Sequence, residues 1–328
     1  MIGKLFKRFV SVAYVGVVKD GDVCDVCLRV LKNKKETHAD NKRFNLDSRE
    51  SARLLDEYIE QVQKKYNIIY TSTVLNSINQ GGVPGCDRSS FSRYEIDVTN
   101  AATVCVDKRW SVFASSYDIE SAQREYDSIG GLDFIFSSLV LMKRFWDKHL
   151  SETPSLCLLK MKTSVTIGIF TQDRLLYSNY SILMTEKKVE GDEEEKKKAE
   201  DIFSGEESEF GEESLVDLDE IALELDDPTV AKSDFQQLPT DGKGASLNME
   251  NLGNDLKILE FVKTSLNNFY KNPMYESSFI GQILLADPYG ASNETKGLLE
   301  SELMLSVFVK KIELCGMVNE LAIEEGAF

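Results

Sequence analysis

Residues 156–178, LCLLKMKTSVTIGIFTQDRLLYS, set two apolar runs on either side of a polar break, Lys160-Met161-Lys162-Thr163-Ser164. Hairpins of this shape hold nucleotide phosphates when the turn supplies an acid for a metal-bound water and a glycine that lets backbone N–H groups approach. This turn has neither, and Gly168 lies too far along the next run. What remains for an anion is Lys160, Lys162 and Thr163, and a lysine on a strand edge is ordinarily solvated. Gln80-Gly81-Gly82-Val83-Pro84-Gly85 has the glycines of a phosphate loop but lacks the Lys-Ser/Thr pair of one. It reads as a surface turn. Two histidines, His38 and His149, are too few to assemble a Ser/His/Asp or Cys/His set.

The six cysteines are at positions 24, 27, 86, 105, 157 and 315. Cys24 and Cys27 have CxxC spacing, but residues i and i+3 of a strand face opposite ways. No second pair completes a zinc site. The cysteines are therefore expected as reduced thiols acting as small core hydrophobes.

The elements that would carry these residues follow from periodicity. SVAYVGVV and VCDVCLRV are joined by Lys19-Asp20-Gly21-Asp22, the Asp-Gly signal of a tight hairpin. A third short run at 43–46 completes a meander. Ser48 caps a helix through about Lys65, with Leu54, Leu55, Tyr58, Ile59 and Val62 on one face. A strand over 67–78 leads to the glycine turn, then to strands over 103–108 and 110–117. Asp118 caps a helix over 119–129 that stops at Gly130-Gly131. A strand at 132–138 and a helix at 139–150 follow. After Pro154 come strands 156–160, 165–171 and 174–183. The pattern resumes with a helix over 251–271, burying Leu256, Leu259, Phe261, Val262, Leu266 and Phe269. Strand 279–287, helix 294–305 and strand 306–314 close it, and from Cys315 onward the pattern is weak.

The net charge of −17 is concentrated in one segment, because residues 186–227 hold 19 acidic and 5 basic side chains. That excludes a generally basic nucleic-acid binder. Residues 186–248 cannot bury enough apolar surface to offset ordering and are expected as a disordered acidic insert, with one amphipathic helical stretch at 215–227. No apolar run is long enough to span a bilayer. The amino-terminal MIGKLFKRF is basic and partly amphipathic, suited to resting on an anionic membrane surface. It lacks a cleavage site, so the chain is expected to be soluble and cytoplasmic.

Hairpin, strand, helix, strand, helix and then a second three-strand meander is one βββαβα unit beginning again. Within it, residues 109–145 carry Tyr117-Asp118-Ile119-Glu120, Gly130-Gly131-Leu132 and Leu139-Met142-Arg144. That stretch resembles the PilM family of type IV pilus platforms and the cytoplasmic domain of the GspL family in type II secretion. The resemblance implies a bilobed actin-like (ribonuclease H-like) α/β fold of two βββαβα-type lobes. The first lobe would cover 1–153, with an inserted subdomain at about 67–117. The second would cover 154–185 and 249–315, with the insert at 186–248 and a tail at 316–328.

In that family's nucleotide-binding members the first strand turn carries an acid and a glycine. Here Gly16 remains, but Tyr14 or Val15 stands where the acid belongs. The adenosine-side loop reads Ala286-Asp287-Pro288-Tyr289-Gly290, where proline removes a donor and tyrosine adds bulk. The resemblance thus implies a pseudo-ATPase with degenerate loops at Gly16, Lys160, Lys162, Thr163 and Gly290, without catalytic residues, cofactor or metal. It implies a scaffold at the inner face of a bacterial inner membrane that binds the amino-terminal peptide of a membrane platform protein. The groove would lie near residues 48–65, 67–78 and 119–129, with Tyr70, Thr71 and Ser72 lining it. Self-association stays open. The alternatives are an active actin-like assembly protein that binds ATP and magnesium, and an adaptor working through its acidic insert.

Overall fold

The computed structural model describes residues 10–183, 242–290 and 292–326. The acidic stretch 186–227, with its expected helix at 215–227, and the basic segment 1–9 lie outside the described residues. Residues up to 184 and from 249 onward form one compact unit.

The first sheet is built from β1 (Val12–Asp20), β2 (Val23–Lys32), β3 (Lys35–Asn45), β4 (Ile68–Val74) and β8 (Phe134–Phe136), in the order β3-β2-β1-β4-β8. The second contains β9 (Ser155–Lys160), β10 (Ser164–Phe170), β11 (Leu175–Ile182), β12 (Gln282–Asp287) and β13 (Val307–Lys311), in the order β11-β10-β9-β12-β13. Each has an antiparallel meander feeding two parallel strands. The two sheets therefore repeat one topology, with β9 standing where β1 stands.

Helices make alternate layers with the sheets. α1 (Arg49–Lys65) is capped by the Ser48 hydroxyl and buries Leu55, Tyr58, Ile59 and Val62 on the outer face of the first sheet. Leu54, expected inward, is 47% exposed. The part of α5 (Gly242–Lys271) from Ile258 to Phe269, together with α6 (Asn293–Leu303), packs on the core of the second sheet. On α5 Leu259, Val262 and Phe269 are buried as expected, joined by Ile258, whereas Leu256 is half exposed. Between the sheets lie α4 (Ser138–Trp146) and α7 (Leu314–Glu325), sharing one core with Val18, Cys27, Cys157, Leu159 and Ala286. The stretch from Cys315, expected as a tail of weak pattern, is thus a central helix. It is apolar on more than one side because it is packed on more than one side, so amphipathic periodicity is weak.

A third sheet interrupts the first lobe. It holds β5 (Gln80–Pro84), β6 (Ala101–Val106) and β7 (Trp110–Ser115) in the order β5-β7-β6, with the short α2 (Arg88–Arg93) between β5 and β6. The stretch 80–84, expected as a loop, is a strand, and α2 was not foreseen. Cys86 and Cys105 form a disulfide with Cα atoms 5.3 Å apart, overturning the expectation of six reduced thiols. Cys24, Cys27, Cys157 and Cys315 are free and buried. Cys24 faces the α1 side of the sheet and Cys27 the core between the sheets, as strand alternation requires. After β7 the helix α3 (Ser116–Glu125) starts earlier than expected. Its N-cap position is Ser115, and Asp118 lies in the first turn.

Candidate functional site

The repeated topology brings the tips of two hairpins face to face. The β1–β2 turn presents Asp20, which is 2% exposed, and the β9–β10 turn presents Lys162 and Thr163. The backbone N–H of Lys162 donates to Asp20 Oδ2 at 2.7 Å, and that of Thr163 to Oδ1 at 2.9 Å. The Thr163 hydroxyl adds 2.8 Å to Oδ1. From the loop after β12, the Tyr289 hydroxyl donates to Oδ2 at 2.6 Å. Four donors from the second lobe therefore converge on one carboxylate of the first. Bonds to an ionised acceptor are stronger than neutral ones. Burial, then the Asp20 charge, pushes the Tyr289 phenol well above its ordinary pKa and keeps it a donor.

The cations of this turn are committed. Lys162 Nζ reaches Asp22 Oδ1 at 2.9 Å, across the same junction. Lys160 Nζ lies against Asp255 Oδ1 at 2.7 Å and Thr295 Oγ1 at 2.6 Å, with Asp255 and Thr295 buried. Lys160 is not the freely solvated strand-edge lysine that the sequence suggested, because α5 and α6 place acceptors over the edge, whereas Lys162 stays exposed in its ion pair with Asp22. Asp287 accepts from the Tyr289 N–H at 2.7 Å and from the Ser292 hydroxyl at 2.6 Å, which shapes the loop. Gly290 is the left-handed residue of that loop, at φ 73°. Among the described residues no group of three or more His, Cys, Asp or Glu side chains is placed to hold a metal.

Gly16 does not sit in a turn. It is in mid-β1, paired with Cys27 and Ser72, and a Cβ there would stand 2.7 Å from the Cys315 carbonyl oxygen. The glycine lets α7 lie directly on the sheet. Asn319 of α7, fully buried, donates to the Cys27 carbonyl at 2.7 Å.

The inserted sheet closes the other side of the junction. Gly82 N–H donates to Ser178 Oγ of β11 at 2.8 Å, and the same hydroxyl donates to Gly82 O at 2.9 Å. A Cβ on Gly82 would fall 2.5 Å from Leu175 Cδ2, so β5 needs glycine to run this close. Tyr94 stacks on Tyr275 at 5.4 Å and Trp110 meets Phe170 edge-on at 5.6 Å. Arg109 pairs with Asp173.

A cavity of about 660 Å³ opens beside this closure. Its walls are the chain from Thr73 to Asn79, the α3 face with Asp118, Ser121 and Glu125, and Thr163 and Ile182. Asp118 accepts from Ser77 Oγ and, at 3.0 Å, from Asn79 Nδ2, tying the chain leaving β4 to α3. Glu125 is paired with Lys19 at 2.7 Å. Ile78 and Ile182 are 59% and 41% exposed at the rim. Of the three residues proposed from sequence to line a groove, none lines this cavity. Thr71 and Ser72 are buried in β4, an interior strand of the first sheet, with Ser72 beneath α7. Tyr70 packs between Tyr14, at 5.3 Å, and Phe134, at 6.0 Å.

Asp20 and Tyr289 were not singled out as partners by sequence reasoning. Acids beside a tight turn explain themselves locally, and the donors that Asp20 meets lie 142, 143 and 269 positions away.

Residues 156–327 match the family described as Domain of unknown function (DUF8341), more than half of the 328 residues. The chain belongs to this family. Residues 9–143 match a second family, Domain of unknown function (DUF8569). No curated protein matches significantly. Among solved structures, the PilM-PilN type IV pilus biogenesis complex is similar at 12% identity, covering 95% of this chain and 96% of that chain, with a TM-score of 0.52. A protein with actin-like ATPase fold and unknown function from Bacteroides thetaiotaomicron is 8% identical, covering 99% and 97%, with a TM-score of 0.48. The DUF8341 chain has the actin-like α/β fold, with the sheet order repeated in its two lobes.

Proposed function

We propose that this protein is a non-catalytic actin-fold scaffold that holds a short cytoplasmic segment of an inner-membrane partner in a bacterial envelope machine of the type IV pilus or type II secretion kind. The observation that carries the first half is the Asp20 junction. An actin-like ATPase would place Mg-nucleotide phosphates between the two hairpin tips. Here the backbone donors of the second tip are used by a fixed carboxylate, and a phosphate brought to them would meet a like charge. The residues present do not fit that ligand, and no reaction step is assigned to the cleft.

The second half rests on the likeness to the PilM-PilN complex and on the cavity beside α3. The cavity joins apolar rim residues, Ile78 and Ile182, to the polar groups of Asn79 and Asp118, a combination suited to an extended peptide. No helix among the described residues is long and apolar enough to cross a membrane, so in this reading the membrane is reached through the partner.

Calorimetric titration of the full chain with ATP and magnesium tests the scaffold reading. We expect no heat of binding and no turnover; micromolar affinity or hydrolysis would favour an active assembly protein. A pull-down with the amino-terminal segment of the neighbouring inner-membrane protein tests the partner. Capture should be lost on Ile78→Asp, and absence of capture by the parent chain would count against the partner.

A further inference from the structure

We propose that the β9–β10 turn is an oxyanion site that the chain fills with its own Asp20 carboxylate, a tethered stand-in for a free oxyanion such as inorganic phosphate. The donors at this place are the N–H groups of Lys162 and Thr163 and the hydroxyls of Thr163 and Tyr289. Two consecutive backbone N–H groups aimed at one point form an anion-binding concavity whatever anion arrives. An ionised carboxylate only accepts hydrogen bonds, so it satisfies all four donors at once.

The approach is built for closeness. The first turn brings Gly21 against Thr163, where an added Cβ would lie 3.0 Å from Thr163 Cγ2. A side chain there would crowd the Thr163 methyl and would sit at a positive φ, 64°, that favours glycine. Tethering makes the carboxylate an intramolecular competitor at an effective concentration on the order of millimolar or above, so a dilute free anion does not displace it. The angle between the lobes is then set by the chain itself and not by a diffusible ligand.

This inference shares with the scaffold reading a cleft closed without nucleotide, and its test uses a different protein and ligand. In full-length Asp20→Ala the vacated donors should take inorganic phosphate. Replacing chloride by phosphate at equal ionic strength should raise the melting temperature of the variant and broaden the phosphate ³¹P resonance. The affinity should exceed that of the parent chain at least about tenfold, or ~1.4 kcal/mol. A folded Asp20→Ala without a phosphate-specific gain would overturn the proposal, as would a parent chain that binds phosphate equally well. If the variant is recovered only unfolded, refolding in phosphate must restore it where chloride does not, and failure of that rescue is also a refutation. The ATP titration of the parent chain is unaffected by either result, so the two ideas fail separately.

Discussion

Replacing Gly16 by alanine puts a methyl group 2.7 Å from the Cys315 carbonyl oxygen, 3.0 Å from Val318 Cγ2 and 3.1 Å from Asn319 Oδ1. The first contact is backbone and cannot rotate away. Relief requires α7 to lift, but Val318, Asn319 and Ala322 of that helix are completely buried. Overpacking of a core costs about 1–3 kcal/mol. The lower entropy of the unfolded alanine chain returns about 0.4–1 kcal/mol. A net loss on the order of 1–2 kcal/mol corresponds to a melting temperature lower by about 2–8 °C for a unit of this size. Thermal unfolding by circular dichroism measures the loss, and amide hydrogen exchange locates it, since protection should fall over 314–325. Gly297→Ala is the control, because nothing lies within 4 Å of its added Cβ inside α6. That change should stabilise by about 0.5–1 kcal/mol. A Gly16→Ala chain as stable as the parent, with α7 exchange unchanged, would refute the packing account.

Two further changes test the surroundings of the site. Lys160→Met leaves Asp255, which is 4% exposed, without its ammonium partner and should cost about 3–5 kcal/mol in urea unfolding. Lys160→Met with Asp255→Leu should recover most of that, and a double variant no better than the single one would contradict a desolvated pair. Reduction of Cys86–Cys105, a bridge spanning 19 positions, should remove about 3 kcal/mol and raise hydrogen exchange over 86–105, next to the Tyr94–Tyr275 contact. Finding six free thiols in the denatured, unreduced chain would disprove the bridge.

The disulfide bears on where the protein works. Such bonds are uncommon in cytosolic proteins, where those present are usually redox-responsive, with hyperthermophiles an exception. Here it closes the loop carrying α2 and Tyr94, and Tyr94 stacks on Tyr275 of the second lobe. The bond therefore braces the same closure that Gly82 and Ser178 make by direct backbone approach.

Local sequence determined most of the elements and their repetition, but not β5, α2 or α7. Alternating apolar runs, the Asp-Gly turn at Asp20-Gly21, the Ser48 cap and the meander before Pro154 each act within a few residues, and they name the α/β class and its two similar halves. Hydrogen-bond partners and close approaches are set by contacts between distant segments, so they became visible only in the tertiary structure. Gly16 reads as a relic of a phosphate turn until α7 is seen resting on it. Gly81-Gly82 reads as a loop until β11 is seen beside it. Lys160 reads as solvated until Asp255 and Thr295 arrive from α5 and α6. Asp20 reads as a turn residue until a second turn, 142 positions later, offers it two N–H groups. Periodicity records which side of an element is dry, whereas what that side touches is decided by how the lobes close.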